Sequence, residues 1–349
     1  MAAIAAAFGA LFAVDTEATY ASGNSTYLST LLAATLSVVL FLLVAYAMKK
    51  SGKRHLSELF SYAFGKSIGV AVSCVVSLAL VYAGAIPLIR IVLILCRFIF
   101  ADVSVASVAV YFLVCIVVLS AAGLETIGRT ARLFFFITFL SILLAFFIAS
   151  PDFDAFHLYP LLGNGLPSVL WQGLRGTERF LPALVALLVL GVGVQGVDVA
   201  ASQGKKAVLF SGAFAAGAQL CLGMTYSYDE LAQMHSPMYR ITMTVRMGAS
   251  SLRADKLLLF IWTMGGIIGS AFYTYAAALL FSKSCKIKDV RPPAVTFGML
   301  SGVLILLGNR NISWMQNGAA FLWNWLFVFF MAPVVLATVI TLLKRGATK

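Results

Sequence analysis

The sequence predicts an all-α polytopic membrane protein of about ten transmembrane helices forming one domain over residues 1–349. Three observations carry that prediction. Hydrophobic residues make up 61% of the chain and charged residues only 11%, whereas soluble domains are roughly half apolar and a quarter charged. Mean hydropathy is +0.98. The apolar residues come in long runs separated by short charged clusters, and helices that satisfy their own backbone are the standard way to bury such runs in lipid.

Ten segments are read, at 2–14, 28–47, 68–97, 103–122, 133–149, 180–196, 206–226, 257–281, 293–309 and 318–343. With the N-terminus inside, the inner connections hold sixteen of the 25 basic residues, from Lys49 and Lys50 to Lys344 and Lys349. Asp15, Glu17, Asp152, Asp154, Asp229 and Glu230 fall outside. The excess of basic residues on one side places both termini in the cytoplasm. It also accounts for the net charge of +12 without any nucleic-acid partner. The sequons at Asn24 and Asn311 both fall on the outer side.

Segment one, "AAIAAAFGALFAV", is short. As a helix it reaches about 20 Å against a hydrocarbon core of about 30 Å. No basic residue precedes it, which argues against a secretory signal and for a shortened first helix. Segment three is long enough to cross at a strong tilt, and contains Pro87 and the cation Arg90. Segment six opens with Arg175, Glu178 and Arg179 and then carries Pro182, Gly191, Gly193 and Gly196; these residues are read as a charged mouth at the outer vestibule followed by a helix able to bend. Segment eight carries Gly265, Gly266 and Gly269, small residues that let helices approach closely. Its Tyr273 and Tyr275 are read as packing or as pocket lining. Two outer connections are longer than turns. Residues 150–180 are rich in Pro, Gly and Asn; in 227–256, the positions after Pro237 suit a short amphipathic helix lying on the membrane.

Ten helices divide into five and five, and an odd number per half makes the second half run opposite to the first. That is the parity of inverted-repeat transporters, in which corresponding helices are broken near the midplane. Here the corresponding helices are segments one and six. Gly9, with Ala7, Phe8 and Ala10, marks the first place where backbone could approach a ligand; the charged opening of segment six marks the second.

Four stretches in order resemble a known family: "GLETIGRTARLFFF" (123–136), "HLYPLLGNG" (157–165), "RGTERF" (175–180) and the stretch from "LLLFIWTMGG" to "KSCKIKDVRP" (257–292). They are similar to the B-subunit of bacterial spore germinant receptors, the GerAB-type permeases of the amino acid–polyamine–organocation superfamily, over about residues 25–345. The resemblance implies a leucine-transporter-like fold, whose first helix is here shortened. It also implies a site for a small nutrient such as an L-amino acid between helices one and six, with helices three and eight contributing, and A- and C-type partner subunits in the inner spore membrane. The chain departs from the family pattern at Gly176-Thr177-Glu178, where that pattern sets Gly beside Glu.

The candidate ligand-binding residues are therefore Phe8, Gly9, Ala10, Tyr82, Gly176, Thr177, Glu178 and Tyr273. Glu178 is read either as receiving a ligand ammonium or as pairing with Arg175 or Arg179. Arg90 is read as a structural cation bonding loop carbonyls or Glu178, or as a clamp for a ligand carboxylate. Glu125 and Arg129, four apart on an inner loop, suit a structural or gating pair; Asp198 reads as a solvated loop acid. The five cysteines and three histidines are scattered, so no metal, cofactor or disulfide framework is implied, and the cysteines read as small buried hydrophobes. No nucleophile elbow or P-loop suggests an enzyme. The competing function is an ion-coupled amino acid transporter.

Overall fold

The computed structural model describes residues 1–12, 21–100, 102–194, 196–234, 236–243, 254–310 and 332–344. Among them every regular element is helical. Seven helices are long and apolar enough to cross a membrane: α2 (Thr26–Ser51), α4 (Lys66–Phe98), α5 (Val105–Ala122), α6 (Leu124–Ala149), α9 (Val197–Thr225), α12 (Ala254–Cys285) and α13 (Arg291–Arg310). Shorter apolar helices complete the pattern: α1 (Ala2–Phe12), α8 (Leu181–Val194) and α14 (Ala332–Lys344). Together these correspond to the ten segments read from the sequence. The part of segment ten before residue 332 lies outside the described residues.

Burial sorts these helices. α4 and α12 are the most enclosed and form the most extensive helix pair; α5, α6 and α13 turn wide apolar faces outward. α1 is apolar on every side, and a helix of that kind belongs in a core. Ile4, Ala6, Ala7 and Ala10 are completely buried, and α1 lies against α4, α8, α9 and α12. Its alanines keep it thin enough to sit among four neighbours.

Glycines set the closest approaches. A Cβ on Gly265 would lie 2.4 Å from the ring of Phe8, and one on Gly269 would lie 3.3 Å from Ala5 Cα. Gly266 meets Leu88 and Ile91 of α4, and Gly84 meets Tyr273 and Ser270 of α12. The small residues of segment eight thus receive α1 on one side and α4 on the other.

Four connections differ from the sequence reading. First, α6 begins at Leu124, so Glu125 and Arg129 stand on its first turns and not on a loop; they form the expected i, i+4 pair, fully in the open. Second, α9 begins at Val197, because Gly196 at φ +89° ends the preceding backbone run in a conformation that side-chain-bearing residues avoid. Asp198 therefore sits in a helical first turn and pairs with Lys49 at 2.8 Å. Third, α3 (Leu56–Phe64) is an amphipathic helix before α4. Leu56, Leu59, Phe60 and Ala63, at i, i+3, i+4 and i+7, are its buried stripe. Fourth, α10 (Tyr228–Gln233) and α11 (Pro237–Met243) follow α9. Met238, Tyr239 and Ile241 of α11 are buried, and Tyr239 packs on Phe98 at 4.9 Å. The apolar residues of this helix pack against its neighbours; residues 244–253, which hold the rest of the expected apolar positions, lie outside the described set.

Side-chain clasps hold both ends of the bundle. At one end, Asn24 Nδ2 donates to Tyr159 O at 2.6 Å and Asn164 Nδ2 to Ala21 O at 3.0 Å. At the other, Lys344 Nζ donates to Tyr62 O and Ala63 O at 3.0 Å each, capping the carbonyl end of α3. The second end gathers the lysine-rich helix termini of α2, α9, α12 and α14. The cysteines also depart from expectation: Cys115 and Cys285 are exposed, and the other three are half-buried.

Candidate functional site

Segment six is a broken helix, and the break lies upstream of where the glycines suggested. Helix α7 (Leu166–Arg175) occupies part of the presumed outer connection, a 3-10 turn follows over Gly176–Arg179, and α8 resumes at Leu181. Pro182 stands at the second position of α8, where its missing N–H costs no hydrogen bond; Gly191 and Gly193 remain helical. The interruption is at the charged residues themselves. Its contacts step along α2: Gly173 meets Leu32, Gly176 meets Ala33, and Ser37 Oγ lies 3.4 Å from Thr177 O. The two halves thus run down one side of α2 in sequence.

The turn is buried. Thr177 is wholly enclosed, Glu178 is 4% exposed and Arg179 7%. A mouth opening on an outer vestibule does not describe it; the ionisable groups are inside the protein, where an unmatched charge is costly. Both engage neighbouring groups, as does the half-buried Arg175. Within the turn, Phe180 N donates to Thr177 O at 3.2 Å and Thr177 Oγ1 donates to Leu174 O at 2.7 Å, so part of the helix-end hydrogen bonding is met locally.

α1 meets the turn at Gly9. A Cβ there would lie 3.1 Å from Arg179 O, so two backbones approach where only hydrogen stands between them. Phe8, one residue before, is fully buried in the notch of Gly265, and Gly266 beside that notch faces Leu88 and Ile91. Gly9, Arg179, Gly265 and the Leu88–Ile91 turn of α4 therefore share one level of the bundle, and Arg90 falls within that turn. The fold thus brings α1 at Gly9 against the Gly176–Arg179 turn, two stretches far apart in sequence.

The remaining expected residues divide. Tyr273 is buried with its side chain against Gly84, which makes it packing between α4 and α12. Tyr82 is half-buried on α4, two helical turns before Arg90. Glu125 and Arg129 lie apart from the Gly9–Arg179 junction, although Gly128 between them faces the Met1 side chain. Among the described residues no group of His, Cys, Asp and Glu could hold a metal ion.

Two serines escaped the sequence reading. Ser37 reaches the turn, as above. Ser211 of α9 is buried, with Oγ 2.9 Å from Ala3 O and 2.7 Å from Ala207 O, sharing its proton between α1 and its own helix. Serines within apolar helices usually bond back to their own backbone, so nothing in their spacing distinguishes these two.

The comparisons with known proteins agree with this architecture. A solved manganese transporter of Eremococcus coleocola, in complex with an aromatic bis-isothiourea substituted compound, superposes with a TM-score of 0.55 at 11% identity, covering 99% of this chain and 87% of that one. The likeness is one of fold, the leucine-transporter type. No curated protein sequence matches significantly. The family model described as spore germination protein matches residues 1–312. The chain, a permease-type membrane protein, belongs to the spore germination protein family.

Proposed function

We propose that this chain binds a small nutrient, of the L-amino acid class, where α1 meets the Gly176–Arg179 turn, and that occupancy is passed as a germination signal to A- and C-type partner subunits. The observation that carries the reading is the buried interruption of segment six, with Glu178 inside it, set against the backbone of Gly9. A zwitterionic ligand needs a partner for each charge once water is removed. The amide N–H groups at the start of α8 suit a carboxylate, and Glu178 suits an ammonium. Phe8 and Ala10 supply apolar surface on the α1 side, and Arg90 lies at the same level as a second partner for the carboxylate. The protein sits in the cytoplasmic or inner spore membrane with both termini and the lysine-rich end inside.

The second reading is ion-coupled transport of the same solute, supported by the fold shared with a transporter. One experiment addresses both. The protein is reconstituted in proteoliposomes, and binding and uptake of a labelled L-amino acid panel are measured together, with Glu178→Gln and Gly9→Val as controls. Saturable binding without uptake, lost in both variants, supports the sensor. Concentrative uptake lost in both supports the transporter. Binding that survives both substitutions in well-folded protein places the ligand elsewhere.

A further inference from the structure

We propose that Cys74 and Cys285 form a peroxide-reactive dithiol that closes to a disulfide across the α4–α12 pair. The register of those helices brings the two together. Gly84 of α4 faces Ser270 and Tyr273 of α12, and Leu88 and Ile91 face Gly266. Continued toward the lysine-rich end, the same antiparallel register sets Cys74 within about a turn of Cys285. Cys285 is close enough to act on the Cys74 thiol. Cys285 is in the last turn of α12 and exposed, while Cys74 is half-buried. Lys283 and Lys286 flank Cys285 in sequence at this end of α12. An exposed thiol beside a sheltered one is the arrangement of an entry cysteine with its resolving partner.

The chemistry balances with hydrogen peroxide as the oxidant. The Cys285 thiolate attacks one peroxide oxygen, the O–O bond breaks, and hydroxide leaves to be protonated to water, giving a sulfenic acid. The Cys74 sulfur then attacks the sulfenic sulfur, and the S–O bond breaks with release of a second water. Two thiols lose two protons and two electrons, and one peroxide becomes two waters. The product ties the end of α12 to α4, two of the helices that lie against α1, and a small-molecule thiol reverses it.

The test uses the full chain in detergent, treated with hydrogen peroxide, quenched with N-ethylmaleimide and read by intact mass and peptide mapping. The expected result is a loss of about 2 Da with two alkylation sites closed, a peptide joining residues 74 and 285, and recovery with dithiothreitol. In Cys74→Ser, a dimedone adduct should form on Cys285; in Cys285→Ser, Cys74 should stay alkylatable. Unchanged alkylation of both thiols after peroxide overturns the proposal, as does a link between two chains through Cys285 or Cys115. Absence of the dimedone adduct in well-folded Cys74→Ser protein overturns it equally.

Discussion

Replacing Gly265 with alanine tests how α1 is seated. The new Cβ would stand 2.4 Å from two ring atoms of Phe8 and 3.3 Å from a third. Carbon atoms prefer about 3.5–4.0 Å, so the ring must retreat by about 1 Å. Phe8 is 1% exposed and its neighbours Ala7 and Ala10 are wholly enclosed, so no free volume receives it. The displacement passes to α1 and hence to the Gly9–Arg179 contact. Overpacking of this kind costs about 1–3 kcal/mol. Phe8→Ala alone leaves a void and costs about 3–5 kcal/mol. In the double variant the alanine methyl occupies part of that void, so the two losses are less than additive, with a coupling of about 1–2 kcal/mol. The assay is the apparent unfolding midpoint of each variant in one detergent, beside ligand affinity. Losses that add within about 0.5 kcal/mol would show that Phe8 does not seat α1 in this notch.

Other predictions follow from single contacts. Trp262→Phe removes the bond from Nε1 to Ser141 Oγ at 3.1 Å and should cost about 1–2 kcal/mol, since a buried acceptor loses its donor; unfolding in denaturant reads it. Lys49→Ala breaks a solvent-exposed pair with Asp198 and should change stability by less than about 1 kcal/mol, so a larger loss would assign that clasp more than surface electrostatics. His55, on the connection before α3, has its pKa lowered from 6.5, first by desolvation and then by Lys283. The unfolded chain therefore binds the proton more readily, and this contribution to stability is complete above about pH 6.5 and declines as pH falls through that value toward the lower folded pKa. Thermal midpoints between pH 7.5 and 5.5 should fall less steeply in His55→Gln than in the parent.

Class and segment positions were legible because hydropathy is a local property. A run such as residues 68–97 announces its burial in lipid whatever surrounds it, and the glycines at 265, 266 and 269 announce close packing without naming the partner. Gly9 and the 176–178 stretch were also found, because small residues and charges in membrane-length helices are few enough to stand out. Their meaning was not legible. Glu178 reads as a charged mouth when its apolar neighbours lie on one side of it in sequence. It is buried because α7, unseen as a helix among the Pro and Gly of 150–180, precedes it, and the turn between α7 and α8 lies against α2 and α1. The exact break follows from the backbone over Gly176–Arg179 and not from Gly191 or Gly193, which a helix tolerates at a modest cost.

The sequence by itself determined a ten-segment helical membrane chain with a lysine-rich end and two positions fit for close backbone approach. Tertiary structure alone decided which helices face one another: Phe8 in the notch of Gly265, Gly9 against Arg179, and Ser211 on Ala3. The physical reason is that lipid affinity depends on each residue's own transfer free energy, whereas a contact depends on two side chains whose meeting is fixed by the packing of every helix between them.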